Sequence, residues 1–408
     1  MNPKNNSNIL IMLLLFVLSL NLLNKFYYIT IVIFAISAYT FLSKKKALNF
    51  SFDINIVYIF LFSTFYAVLN SEHSRISLNS MAHDLLYFLG YFCGYVLINN
   101  KNIDYEDTYN KNIFIMTAGC CIHGLLNTIS NLKSYGLNIT ARSLPDYWTG
   151  EIWVATGQAT MFVLIVGYSF YGIFLKKTKH FTMRILSVIF LFIAIFYNLY
   201  TASRTILVIL IIVYIISIIG SLNFKVINNK MKYIIIIAVS ILFIAIVYLN
   251  NIFGIREFVE SMPLFNRLSS KNQTDLVDDD RINRWKFALN NFWKYPFGGL
   301  NIRRQISYIH NFWLDAYDVA GIVPLFFLLL YTIRSMKNAL FIIISDQVNS
   351  NFKVLIAGVY ISFLLQFMVE PILTGVPWLF ILFCIITGMT DRYSQNIRSY
   401  ECSKGIKQ

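Results

Sequence analysis

The chain reads as an all-α, polytopic membrane protein with about 12 transmembrane helices and one large helical segment outside the membrane. Three observations predict this. Of 408 residues, 57% are hydrophobic and 13% charged, whereas a soluble domain carries about a quarter charged residues; mean hydropathy is +0.60. Apolar runs recur at close to the roughly 20 residues that cross a bilayer. Basic residues fall unevenly between the two sides that those runs define.

The expected spans are approximately 9–24, 26–43, 54–70, 83–99, 112–130, 154–175, 185–201, 204–221, 232–251, 311–331, 353–369 and 371–390. With the N-terminus inside, the inner segments hold 20 of the 34 Lys and Arg, the short outer loops 5, and the long segment 252–310 the other 9. Positive residues accumulate on the inner side, so both termini are expected inside and 252–310 outside. The chain divides accordingly into 1–251, 252–310 and 311–408. A net charge of +14 spread in this way marks topology, and no nucleic acid partner is expected.

Taken in order, the first two spans form a hairpin through Asn24 and Lys25, and Lys44 to Lys46 anchor the inner surface beside anionic lipid. The first run lacks a small-x-small cleavage site and leads straight into a second span, so it is expected to be retained. Glu72, His73 and Arg75 form a solvated outer loop. Gly90-x-x-x-Gly94 on the fourth span lets another helix approach closely. His83 and Asp84 at its outer end are candidates to line a cavity, and His123 in the fifth span reads as a hydrogen-bonded helix contact. Cys93, Cys120, Cys121, Cys384 and Cys402 lie in spans or the inner tail, which gives neither a disulfide framework nor a Cys-based metal site.

The outer loop 131–153 combines Arg142 with Tyr147 and Trp148, a composition suited both to sugar stacking and to an interfacial aromatic belt. Spans seven and eight are joined only by Tyr200 to Thr205, which puts Arg204 at the outer face, against the positive-inside bias. A guanidinium costs about 2.5–3.5 kcal/mol at the bilayer centre and less toward the surface. That cost suggests an anionic partner, and the guanidinium fork fits phosphate; snorkelling to the headgroups is the alternative.

Segment 252–310 reads as amphipathic helices lying on the bundle. Asp278 to Asp280 cap a helix. Ile282, Trp285, Leu289 and Phe292 form its apolar stripe, with Arg281 and Arg284 one turn apart beside it. Pro296 and Gly298-Gly299 end it, with no phosphate-loop Gly-Lys-Ser/Thr following. His310 and Asn311 stand where the tenth span begins; Asp315 and Asp318 share a face, and Glu370-Pro371 marks the outer turn between the last spans, without a clear role.

Ser203-Arg204, the Arg281-x-x-Arg284-Trp285 set followed by Pro296 and Gly299, and His310-Asn311 with Leu314 and Gly321 resemble, in order and placement, the bacterial O-antigen polymerase and ligase superfamily. These are C-type glycosyltransferases acting on undecaprenyl-pyrophosphate glycans. The resemblance covers nearly the whole chain. It implies an inner-membrane enzyme whose 252–310 segment is periplasmic. His310 is implied in sugar transfer, with Arg204, Arg281 or Arg284, and Arg142 as a further periplasmic Arg, on the pyrophosphate. The implied partners are lipid-linked oligosaccharide donor and acceptor, the bilayer and a chain-length regulator protein.

The chemistry is compatible. Departing pyrophosphate develops charge that fixed guanidinium groups stabilise, and an imidazole is a suitable base for a sugar hydroxyl. No Asp/Glu pair stands where a two-carboxylate mechanism needs one, and no cofactor or metal is expected. The His310-Asn311-x-x-Leu314 form and compact outer segment look more like the polymerases of that superfamily; a ligase is the alternative, differing only in acceptor. A flippase or other transporter is the competing class, but these keep charge in a central cavity and have short loops on both sides.

Overall fold

The computed structural model describes residues 3–43, 53–74, 78–98, 105–137, 143–174, 181–221, 249–251, 255–264, 280–299, 302 and 309–405. Lys44 to Lys46, Arg75, Arg142, Asp278, Asp279, Arg303, Arg304 and most of the ninth span lie outside the described residues, as do the side chains of Glu72, His73 and Cys402.

Helices dominate. In chain order they are α1 (Pro3–Ser19), α2 (Phe26–Ser43), α3 (Ile54–Ser74), α4 (Leu78–Leu97), α5 (Tyr105–Tyr135), α6 (Ala155–Ala159), α7 (Val163–Phe174), α8 (Phe181–Tyr200) and α9 (Thr205–Ser221). There follow α10 (Ile255–Ser261), α11 (Asp280–Asn290), α12 (Phe312–Ala320), α13 (Ile322–Ile344), α14 (Ser350–Val369), α15 (Ile372–Gly375) and α16 (Pro377–Gly405). Of the described helices, α5, α8, α13 and α14 are long and apolar enough to cross a membrane, and shorter apolar helices lie at Ile9–Ser19, Phe26–Leu42, Ile54–Asn70 and Thr205–Ser217. The one described sheet is a hairpin, β1 (Ser143–Pro145) paired antiparallel with β2 (Ile152–Val154).

Side-chain bonds across the bundle sort the helix ends into two sets. Trp148 Nε1 donates to the Leu20 carbonyl at 3.2 Å, and the Tyr200 hydroxyl donates to the Gly136 carbonyl at 3.1 Å. The C-terminal ends of α1, α5 and α8 therefore meet beside the β-hairpin. At the opposite end, Glu106 accepts from the Asn349 amide at 3.2 Å and the Tyr393 hydroxyl at 3.0 Å, and Asn55 Nδ2 donates to Asp391 at 2.7 Å. Because α14 starts at that far end, it finishes at Glu370 on the hairpin side. Small residues set how closely these helices approach. A Cβ at Gly94 would collide with the Ile385 backbone, and one at Gly388 with the Tyr91 carbonyl, so the expected close approach at Gly90 and Gly94 is made by α4 against α16.

The stretch 311–331, expected as one span, is two helices. Gly321 interrupts it at φ 84° and ψ −164°, a backbone only glycine adopts without strain. The turn Tyr295–Gly299 is pressed into the break: Ile322 N donates to the Pro296 carbonyl at 2.8 Å and Gly299 N to the Asp318 carbonyl at 2.7 Å. The membrane-length helix is thus α13, and Arg334 and Lys337, expected in an inner loop, lie within it.

The stripe expected on α11 is also rotated. Ile282 and Leu289 are 48% and 59% exposed, while Trp285, Ala288 and Phe292 pack into a second cluster with Ile302, Ile309, Tyr317 and Leu325. Helical spacing alone does not distinguish the two apolar faces, and the partner surface on α12 selects the aromatic one. Cys93, Cys120, Cys121 and Cys384 are buried and unbridged.

Candidate functional site

Four elements from distant parts of the sequence meet at the hairpin end of the bundle. Pro371 disfavours helical backbone at the residue before it. Accordingly α14 stops at Val369, and Glu370 turns to φ −132°, ψ 148°. Its carboxylate is buried. One oxygen lies 3.3 Å from Arg281 Nη2 and the other 3.6 Å from His310 Nδ1. The first distance is an ion pair with a hydrogen bond. The second is too long for one, and the buried Nδ1 has no hydrogen-bond partner.

His310 is held by its backbone. Trp285 Nε1, one turn past Arg281 on α11, donates to the His310 carbonyl at 3.1 Å. Asn311 caps α12, its side-chain oxygen accepting from the amides of Trp313 and Leu314, both at 3.1 Å. Its Nδ2 reaches the Met368 carbonyl at 3.4 Å, tying the cap to the end of α14. Asp315 is buried and accepts from Thr374 N at 3.0 Å and Thr374 Oγ1 at 2.8 Å, fixing α15 over the site. Asp315 is a structural ligand of the turn. Asn311 serves as a helix cap, and its neighbour His310 is the member of the expected pair whose ring faces Glu370.

Magnitudes show which interaction holds α11 in place. Burial of large apolar side chains contributes about 1.5–3 kcal/mol each, and Trp285 and Phe292 both contribute partially. A partly exposed ion pair contributes about 0.2–1 kcal/mol. Packing therefore docks the helix, and Arg281 can change partners without releasing it.

Arg284 is half-buried one turn after Arg281. Arg204 is half-buried at the start of α9, and among the described residues no carboxylate pairs with it. Its height follows from register. A Cβ at Gly358 would touch Val213, where α9 crosses α14. Arg204 precedes Val213 by as many residues as Phe367 follows Gly358, and both displacements run toward the hairpin end. Arg204 thus lies level with Phe367, about one helical turn below Glu370. The described geometry joins Arg281, Glu370 and His310 directly and places Arg204 on the other flank of α14, without contact to them.

A separate buried pair anchors the hairpin. His123 Nε2 and Asp146 Oδ1 are 2.8 Å apart, and Asp146 Oδ2 accepts from the amides of Trp148 and Thr149 at 3.0 and 3.1 Å. Burial pushes the Asp146 carboxyl up, but the His123 and Asn127 side chains and the Thr149 amide outweigh it, leaving the carboxyl below its usual value. His83 stacks on Tyr27 at 4.6 Å, and Asp84 accepts from Asn70 at 3.1 Å. Among the described residues no set of three His, Cys, Asp or Glu side chains converges as a metal site.

Glu370 is the residue that sequence reasoning left as an ambiguous turn. The available signal was an acidic residue directly before a proline, on the side where Arg281 and His310 were expected. No protein-family model and no curated protein matches the chain.

Proposed function

We propose that the chain is a surface-polysaccharide polymerase of the O-antigen type, which joins undecaprenyl-pyrophosphate-linked repeat units at the periplasmic face of the bacterial inner membrane. The observation that carries this reading is the convergence of Arg281, Glu370 and His310 at the end of the bundle that also bears Arg204. In this reading the chain crosses the membrane about twelve times, both termini are cytoplasmic, and the hairpin end with segment 252–310 is periplasmic.

The reaction follows from the groups present. The acceptor sugar hydroxyl attacks the anomeric carbon of the donor. A C–O bond forms to the acceptor oxygen while the bond from that carbon to the pyrophosphate oxygen breaks, and the configuration inverts. His310 takes the hydroxyl proton. Glu370, on the Nδ1 edge, orients the imidazole and stabilises its protonated form, as a carboxylate does behind a general base. Contacts of this length beside a general base tighten in the complex with substrate. Arg281, Arg284 and Arg204 hold the leaving pyrophosphate, with Arg142 a further candidate. Arg281 must exchange Glu370 for phosphate, and that exchange frees Glu370 to close on His310.

Two assays test the proposal. Deleting the gene and running the surface polysaccharide on a gel should leave a single repeat unit without a ladder. Loss of all glycan on the lipid A core, with lipid-linked polymer retained, means ligase instead. With purified protein and lipid-linked repeat units, His310→Ala should lower turnover by about 10²–10⁴-fold, and His310→Gln should not rescue it. Near-wild-type elongation by His310→Gln would exclude His310 as the base.

A further inference from the structure

We infer that Gln366 forms a hydroxyl-recognising subsite for the sugar of the lipid-linked substrate, between the Arg204 flank and the Glu370–His310 group; this rests on the proposed function. Gln366 is fully buried on α14, and neither its Oε1 nor its Nε2 has a hydrogen-bond partner. A buried amide with both ends unpaired is rare in folded proteins, because each unmet group carries its desolvation cost.

Its surroundings indicate what the amide is for. On α14, the face at Gly358 and Ser362 packs against Gly167 of α7, while Phe363 packs on Phe383 of α16 and Phe367 stacks on Phe312 of α12. At helical spacing Gln366 falls between these two faces. It precedes Glu370 by one turn and, by the register of α9, is level with Arg204. A second unpaired group stands beside Arg204: Ser203 Oγ is fully buried without a partner, directly after Ala202 turns the chain at φ 54°.

The chemistry selects among ligands. Phosphate oxygens only accept, so a pyrophosphate could satisfy Nε2 but would leave Oε1 unpaired. A sugar hydroxyl donates as well as accepts, and two neighbouring hydroxyls meet both ends of the amide at once. The guanidinium groups thus bind the pyrophosphate, and Gln366 reads the sugar next to it.

The test compares two lipids on full-length protein in nanodiscs: undecaprenyl pyrophosphate alone, and lipid-linked repeat units extracted from cells with the gene deleted. Gln366→Met keeps the shape and removes both polar ends. It should bind undecaprenyl pyrophosphate as wild type does, which also shows that it is folded. It should bind the repeat unit about tenfold more weakly and, without ligand, should melt at a higher temperature. Equal weakening for both lipids, or unchanged binding of both, overturns the subsite while leaving the polymerase reading intact. If wild type binds neither lipid, both fall.

Discussion

At the scale of single residues, Glu370 ties the site together: one carboxylate faces Arg281 at 3.3 Å and His310 at 3.6 Å. Glu370→Gln removes the charge and keeps the shape. It should lower turnover about 10- to 100-fold, a share of what a positioned base supplies, and combined with His310→Ala it should cost little more than His310→Ala alone. Additive losses in that double-mutant cycle would separate the two residues. Arg204→Lys tests a different function. A lysine keeps the charge but not the planar fork, so activity should fall at unchanged membrane abundance, and polymer of wild-type length would remove Arg204 from the site. His310, Arg281, Arg284 and Arg204 could be nominated from the sequence because each stands at an apolar-run boundary or in an ordered motif, and of these the structure brings His310 and Arg281 together through Glu370. Glu370 and Gln366 could not be nominated in this way. One derives its meaning from partners far away in the chain, and the other looks like any polar residue inside an apolar span.

At the scale of elements, the α12–α13 break carries the site. Gly321 and Gly298 both have positive φ, and a Cβ on either would strike the backbone of the opposing segment, Pro296 for the first and Tyr317 for the second. Gly321→Ala therefore combines backbone strain with a collision and should destabilise by about 2–4 kcal/mol, read as a lowered melting temperature with activity lost in parallel. The apolar run 311–331 signalled this break only through Gly321 and Pro324, which falls in the first turn of α13 where its missing N–H costs nothing, because hydropathy reports burial and not φ. The β-hairpin is a second element with its own test. Asp146 has a lowered folded-state pKa, so its contribution is complete above the ordinary carboxylate value of about 3.9 and is lost as pH falls through the lower folded value. Asp146→Asn should melt below wild type at neutral pH, and the gap should close in acid. A gap that is constant with pH would mean that shape, and not charge, anchors the hairpin.

At the scale of the whole molecule, the helix ends sort into two sets by side-chain bonds that owe nothing to the distribution of lysines and arginines. The β-hairpin lies with the C-terminal ends of α1, α5 and α8, and α14 brings Glu370 to that end beside α11. The far end gathers Glu106, Asn349 and Tyr393. Positive-inside bias predicts that these two sets face opposite sides of the membrane, which can be tested in two parts. Single cysteines at Tyr147 and Trp293, which are 47% and 83% exposed, should be labelled together by a membrane-impermeant reagent applied to the periplasmic side. A cysteine at Gln347, exposed in the connection between α13 and α14, should be labelled only after the cytoplasmic face is opened. The described native cysteines are buried, so the background should be low. Labelling of Tyr147 and Trp293 from opposite sides would break the architecture itself, because it would separate the hairpin from the Arg281 site. Labelling of both from the cytoplasm would preserve the architecture and reverse its orientation. A lipid-linked repeat unit presented in the periplasm would then never meet His310, and the polymerase proposal would fall with every residue still in place.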